Sequence, residues 1–302
     1  MFKKSLCLIH ASEHANWVFD SQHPTQGRRY INAHKVLIDL AKNAEVEVTQ
    51  REQRLATTDE LSLVHSQEYI KSVISDHISD VWSGKRNDLS KLASLFAGGT
   101  LLALELLINK KCKTAIHLPG AKHHAQYDYS SGFCVFNDLA IAAEIATKIH
   151  HKKVAILDID GHHGDGTENL TRDNPDILTY SVHHFGIFPG TGQRDQPEFA
   201  IYNDALTYGD GDEKLKSGVE RFIQLAKAFR ADLLFLAVGA DGHAEDPLTG
   251  LNYSVEGILK VCSKIRYEFP SLPILMGGAG GYLPDTRTPE VWANAALALA
   301  NS

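Results

Sequence analysis

The sequence predicts an α/β protein built on a mainly parallel β-sheet flanked by helices, and three observations carry that expectation. Short apolar runs recur along the chain: "SLCLIH", "TAIHLPG", "KVAILDID", "ILTYSVHH", "DLLFLAVGAD" and "LPILMGGAGG". Continuous runs of this kind suit strands buried on both faces, as in parallel sheets. Helical patterns alternate with them, which is the order that a parallel sheet covered on both sides requires. Each run ends in Gly, His, Asp or Pro, so polar groups collect beyond the carboxyl ends of the strands, where such sheets bind ligands.

Taken in chain order, "LCLI" follows two lysines and is itself followed at once by polar residues. It is too short for the core of a signal peptide and reads as the first strand. "ASLFAGGTLLALELLINKK" reads as a helix leading to the strand "TAIHL", and "NDLAIAAEIATKIHH" as a helix before "KVAIL". "KLKSGVERFIQLAKAF" and "VEGILKVCSKIRYEF" read as the helices before "DLLFLAV" and "LPILM". No linker, low-complexity tract or fixed-period repeat divides the 302 residues, so one catalytic domain over 1–302 is the expectation. No run approaches the roughly 18 apolar residues of a membrane span. The expected setting is cytoplasmic, with no membrane partner. A formal net charge of -7 argues against general nucleic-acid binding. Cys7, Cys112, Cys134 and Cys262 show no CxxC spacing, so they are expected as reduced thiols rather than a zinc ribbon or a disulfide framework.

The stretch "DIDGHHGDG" places charge where a buried strand should end. Isolated charges do not survive in a core unless paired or bound to metal. Asp158, Asp160 and His162 are spaced by two, so on an extended chain they point the same way. Asp160 and His162 can reach one metal with Asp158 as support; a solvated turn over Gly161, Gly164 and Gly166 is the competing reading. "LAVGADGHAEDP" stops another strand at Asp241, a third possible ligand, while His243 and Asp246 read as loop or capping residues. Two carboxylates and one histidine with an open position suit a catalytic metal site. In "PGAKHHAQYDYSSGFCVFND" the adjacent His123 and His124 have Asp158 and Asp165 as available partners, and a carboxylate fixes an imidazole tautomer and raises its basicity. In "MGGAGGYLPD" the glycines, Gly280 and Gly281 among them, let the backbone bend closely around a ligand. Tyr282 at their end is either an oxyanion donor or a packed turn residue.

Five of these segments, "PGAKHHAQYDYSSGFCVFND", "DIDGHHGDGT", "SVHHFGIFPGTG", "GADGHAEDPLTGL" and "GGAGGY", together resemble the zinc-dependent histone deacetylase superfamily. That superfamily includes acetylpolyamine amidohydrolases and acetoin-utilisation proteins. The segments stand in the family's order from about residue 117 to 282, with weaker similarity in "SQEYI" and "AGGTLLALE". The resemblance implies an arginase–deacetylase fold with a central sheet of about eight strands. It implies Asp160, His162 and Asp241 as ligands of zinc or iron(II), both of which suit such a set. It implies His123 and His124 as the tandem histidines backed by Asp158 and Asp165, and Tyr282 as the catalytic tyrosine. Phe133 and Phe188 are then the walls of an acyl-lysine tunnel, and the Gly132 carbonyl accepts from the substrate amide. A structural K+ or Na+ would be held by Asp158, Ser181 and the carbonyls of Asp160, His162 and Val182.

The expected activity is therefore metal-assisted hydrolysis of an N-acetylated amine, acetyl-lysine or a small acetylated amine, to amine and acetate. One or both tandem histidines take the water proton, and His124 returns a proton to the leaving amine. A dinuclear ureohydrolase of the same fold would need further acids where Gly164 and His243 stand, so one catalytic metal is expected. A non-enzymatic acyl binder fits less well, because every catalytic group is present. Some segments depart from the family pattern. Ser181–Phe188 is short, no long insertion narrows the mouth, and "ISDVWSGKRNDLS" offers no secure rim aspartate. "DSQHPTQGRRY" resembles the family only loosely, which leaves no firm basis for placing Arg28 or Arg29 in an inner product channel.

Overall fold

The structure, a computed structural model, describes residues 4–81 and 84–300. Eight strands form one sheet: β1 (Ser5–Ile9), β2 (Glu47–Arg51), β3 (Thr114–His117), β4 (Val154–Asp158), β5 (Ile177–His184), β6 (Ile201–Leu206), β7 (Leu233–Ala237) and β8 (Ile274–Gly277). Their order is β2-β1-β3-β8-β7-β4-β5-β6, and every pair is parallel. The expected sheet was mainly parallel; the observed one is wholly so, in keeping with the arginase–deacetylase fold.

All six apolar runs become strands. The two strands that no such run marks, β2 and β6, are the two edges. β2 has no buried residue, and β6 alternates buried with partly exposed positions. An edge strand keeps one flank toward solvent, so its sequence need not be continuously apolar. By contrast β3, β4, β7 and β8 are buried at every residue, so helices or loops cover both of their faces.

The helices are α1 (Arg28–Asn43), α2 (Thr58–Leu61), α3 (Gln67–Lys71), α4 (Leu89–Ile108), α5 (Asp138–Lys148), α6 (Asp165–Thr171), α7 (Asp212–Phe229), α8 (Val255–Glu268) and α9 (Arg287–Ala298). α1, α9, α8 and α7 pack in series, as do α4, α5 and α6. The expectation that nothing approaches a membrane span needs correcting for α4, which is long and apolar enough by composition. Its most apolar window is 72% buried, and the helix packs on β1, β3 and β8, so the apolar surface serves the core.

The start of α5 organises the loop that carries the tandem histidines. Asn137 caps the helix by accepting from the Ala140 N–H at 3.0 Å, as short polar side chains do at this position. Its Nδ2 donates to the carbonyls of His123 and Ala125, both at 3.3 Å. Asp138 accepts the N–H groups of Ala121 at 2.9 Å and Lys122 at 2.6 Å, and also the Thr100 hydroxyl. One helix N-terminus thus holds four of the five residues from Ala121 to Ala125 after β3.

Two buried histidines brace the same region in neutral form. His65 donates from Nδ1 to the Gln126 carbonyl at 2.8 Å and accepts from the Asn137 N–H at Nε2, 3.0 Å away. His117 pairs with the Thr100 hydroxyl at 2.9 Å. Burial pushes His65 down to about 4 and His117 to about 3, from an ordinary 6.5. The unfolded chain therefore takes up these protons first as pH falls. The stability from keeping both rings neutral is complete above about 6.5 and is lost toward 4 and 3, at about 1.4 kcal/mol per pH unit for each ring. Urea unfolding between pH 7 and pH 5 should register a steep loss of stability; a flat profile would mean that these imidazoles are charged in the fold.

Candidate active site

Four adjacent central strands, in the order β3-β8-β7-β4, bring the polar segments to one place. The loop after β3 carries His123 and His124, the end of β4 leads into Asp158, Asp160 and His162, β7 leads to Asp241, and β8 leads to Gly280, Gly281 and Tyr282. Residues scattered over more than 150 positions of sequence meet because parallel strands end their carboxyl termini at one edge.

Asp160, His162 and Asp241 are buried and converge, with one ligand atom from each lying within 4.8 Å of the others. His162 Nδ1 faces Asp241 Oδ2 at 2.8 Å and Asp160 Oδ1 at 3.2 Å. Backbone donors hold the carboxylates: Gly280 N to Asp160 Oδ2 at 2.6 Å, His162 N to Asp160 Oδ1 at 2.9 Å, and Gly161 N to Asp241 Oδ1 at 2.8 Å. Burial disfavours the charged imidazole, but the bonds to Asp160 and Asp241 outweigh it and raise His162 to about 10. Asp241 is pushed up to about 6 by its burial and by the Asp160 charge. Two carboxylates drawing a proton onto the imidazole between them mark a centre that attracts a cation, and this donor set fits a divalent metal. Among the described residues no other group of three such side chains converges in this way. Gly164 has no room for a further acid: a Cβ there would lie 2.4 Å from Asp158 Oδ2. His243 stays outside the cluster, its Nδ1 accepting from the Glu245 N–H at 3.1 Å.

The tandem histidines each have a carboxylate partner. His123 Nδ1 donates to Asp158 Oδ2 at 2.6 Å, and His124 Nδ1 to Asp165 Oδ1 at 2.7 Å. Asp158 is itself held by the Asp160 N–H at 3.0 Å, and Asp165 by the Gln126 amide at 2.8 Å. The two rings lie 3.9 Å apart, centre to centre, so they cannot readily share positive charge. Burial opposes protonation of His123, but the Asp158 and Asp160 charges raise it to about 9. Burial, together with the His123 charge, lowers His124 to about 4 despite Asp165. The protein's own charges therefore favour a proton on His123 over one on His124.

A tunnel of about 420 Å³ leads to this centre, lined by His124, Gly132, Phe133, His162, Ile187, Phe188, Leu248 and Tyr282. Phe188 stands 4.9 Å from the His124 ring, and Phe133 stands 6.2 Å from the Tyr282 ring. Beyond Tyr282 a small inner cavity of about 20 Å³ is bordered by Arg29, Lys122 and His123 among others. His124 therefore borders both the tunnel and this small cavity, whereas His123 borders only the latter. Burial and the charges of Asp241 and Asp160 raise the Tyr282 phenol well above its ordinary value, so its hydroxyl keeps its proton. Ser181 lies beside Asp158 in the β4–β5 register, with Val182 next along β5. The polar groups of Gly280 are engaged within the fold: its N–H holds Asp160, and its carbonyl accepts from Ala240 N at 2.8 Å.

The structure adds detail at residues that the sequence left undecided. Arg28 and Arg29 part ways: Arg28 pairs with Asp285 at the surface, while Arg29 is buried and donates from Nη1 to the Gly281 carbonyl at 2.6 Å. Adjacent residues at a helix start face different surroundings, and nothing in "GRRY" says which arginine turns inward. Asp246 is no simple loop residue, because its carboxylate is buried and accepts the Tyr282 N–H at 2.8 Å. In the segment searched for a rim aspartate, Asp80 is exposed and accepts from the Ser130 N–H at 3.2 Å, two residues before Gly132. Trp82 and Ser83 of that segment lie outside the described residues.

Comparison with known proteins agrees with this geometry. The histone deacetylase domain profile matches residues 23–299. The acetoin utilization protein AcuC of Staphylococcus aureus (strain MRSA252) is 28% identical over 96% of this chain and 80% of its own length. The AcuC protein of Bacillus subtilis (strain 168) is 29% identical over 94% of this chain and 79% of its own. Histone deacetylase 9 of Arabidopsis thaliana is 31% identical over 87% of this chain and 66% of its own. With a single family profile spanning nearly the whole chain, the protein belongs to the histone deacetylase family.

Proposed function

We propose that the protein is a metal-dependent amidohydrolase that removes the acetyl group from an N-acetylated amine, releasing amine and acetate. The observation that carries this reading is the convergence of Asp160, His162 and Asp241 at the foot of an apolar tunnel bordered by His124 and Tyr282. Zinc or iron(II) suits this donor set, and such an ion, when bound, polarises the amide carbonyl and makes water nucleophilic near neutral pH.

The chain's own residues supply the rest. The neutral His124 accepts the proton of the attacking water, with Asp165 steadying the imidazolium that results. Because His124 borders the tunnel in which the amine lies, it also returns that proton to the departing nitrogen. His123, bonded to Asp158 at 2.6 Å, packs against the His124 ring and steadies it for that transfer. The Tyr282 hydroxyl donates to the oxyanion that develops on the carbonyl. Gly132 offers its carbonyl to the amide N–H, and Phe133 and Phe188 flank the alkyl chain. Asp158, Ser181 and the carbonyls of Asp160, His162 and Val182 are the candidates for a structural K+ or Na+. We read the setting as cytoplasmic, in line with four free thiols.

Asp160→Ala, His162→Ala and Asp241→Ala should each lose bound metal and acetate release together, as only three protein ligands are on hand. Stoichiometric metal in any of the three, measured by elemental analysis, would remove that residue from the ligand set. Tyr282→Phe should keep its metal and KM while turnover falls about 10²–10³-fold. Near-normal turnover would make Tyr282 a packing residue.

The tunnel lining carries no charged side chain apart from its imidazoles, which suits a slender neutral alkyl chain ending in an acetamide. Phe188 is 49% exposed, leaving the mouth open on that side. Acetylated small amines and acetyl-lysine peptides of varied sequence should therefore give kcat/KM values within about 10³-fold of one another, equivalent to roughly 4 kcal/mol. A larger preference for one peptide context would reveal specificity contacts outside the tunnel.

A further inference from the structure

Tyr282 follows four glycines and an alanine in "GGAGGY", a segment with little local stiffness of its own. Gly281 has φ of +147°, a backbone region that L side chains rarely adopt. The direction of the Tyr282 side chain must therefore be set by contacts outside the segment.

Those contacts fall on one peptide unit. Arg29 Nη1 donates to the Gly281 carbonyl at 2.6 Å, and Asp246 Oδ2 accepts the Tyr282 N–H at 2.8 Å. Carbonyl and N–H belong to the same planar amide, so a buried guanidinium and a buried carboxyl group grip it from its two ends. The Arg29 bond is charge-assisted, and such bonds are about twice as strong as neutral ones. The other oxygen of Asp246 accepts the Leu248 N–H at 3.1 Å, and Leu248 is a tunnel-lining residue. One carboxylate thus ties Tyr282 to a loop that also lines the substrate passage.

We propose that Asp246 is the positioning residue of Tyr282: it fixes the Gly281–Tyr282 peptide plane so that the phenol meets the developing oxyanion in the register set by the tunnel wall. The proposal rests on the reading of Tyr282 as the oxyanion donor. Asp246 touches neither substrate nor metal in this role; it acts through the peptide it holds. Misplacement of a reacting group by about 1 Å can lower turnover about 10²-fold. Asp246→Asn keeps one acceptor of the right size, but its amide cannot accept from both N–H groups at once, so its effect should be intermediate.

The test combines turnover with amide exchange. Asp246→Ala should lower kcat about 10²-fold with KM and metal content nearly unchanged, and Asp246→Asn about 10-fold. In a Tyr282→Phe background, Asp246→Ala should cause almost no further loss, because the hydroxyl that it positions is already gone. Hydrogen exchange at the Tyr282 amide should be slow in the wild-type protein and at least about 10-fold faster in either Asp246 variant, with global urea stability matched. Where the alanine variant fails to fold, the asparagine variant carries the same three readouts. Equal fractional losses in both backgrounds, or unchanged exchange at Tyr282, would overturn the assignment. Undiminished turnover in Tyr282→Phe with altered exchange in the Asp246 variants would instead fault the oxyanion reading and leave the peptide clamp standing.

Discussion

Two fully buried carboxylates on neighbouring strands, Asp160 beyond β4 and Asp241 beyond β7, are what the surrounding structure has to accommodate. Removing a carboxylate from water costs several kcal/mol even after relaxation. A hydrogen bond to a charged group returns about 1.5–3 kcal/mol. Asp160 receives two backbone N–H bonds and Asp241 one, so peptide dipoles alone do not compensate the pair. The remainder must come from positive charge between them, which is the position that His162 Nδ1 faces. The same deficit that draws a proton onto His162 makes the centre a strong acceptor for a divalent ion.

Close backbone approach is the means by which the fold supplies those donors. A Cβ on Gly280 would lie 2.5 Å from Asp241 Oδ2 and 2.6 Å from Asp160 Oδ2, so only glycine lets this N–H reach the Asp160 carboxylate. The glycine that serves the carboxylate leaves the following chain pliant, and the segment is then held by groups from elsewhere: Ala240, Arg29 and Asp246. Asp160 and Tyr282 are therefore parts of one constraint, since the residue that stabilises Asp160 stands two places before Tyr282.

A division of labour between the tandem histidines follows from the same electrostatics. His123 sits near two buried carboxylates and takes positive charge, while His124, pressed against that charge, loses it. Chemically identical neighbours acquire different protonation because one lies on the carboxylate side and the other on the tunnel side. Asn137 and Asp138 at the start of α5 hold the loop so that this difference persists.

Much of this was legible in the linear sequence. Six of the strands announce themselves because central strands of a parallel sheet are buried on both faces and must be apolar throughout. The two-residue spacing of Asp158, Asp160 and His162 places them on one side of an extended chain, and polar residues at the ends of apolar runs mark the functional edge. Edge strands β2 and β6 escaped that reading because half-solvated strands need no apolar run. The choice between Arg28 and Arg29 and the burial of Asp246 against the Tyr282 N–H were decided only by tertiary structure. These are contacts between segments 36 to more than 250 residues apart, as in Asp246 to Tyr282 and Arg29 to Gly281. Local sequence sets which way a side chain can point along its own strand or helix. Which charge it meets there depends on how the strands are ordered in the sheet, and that order is a property of the packed core.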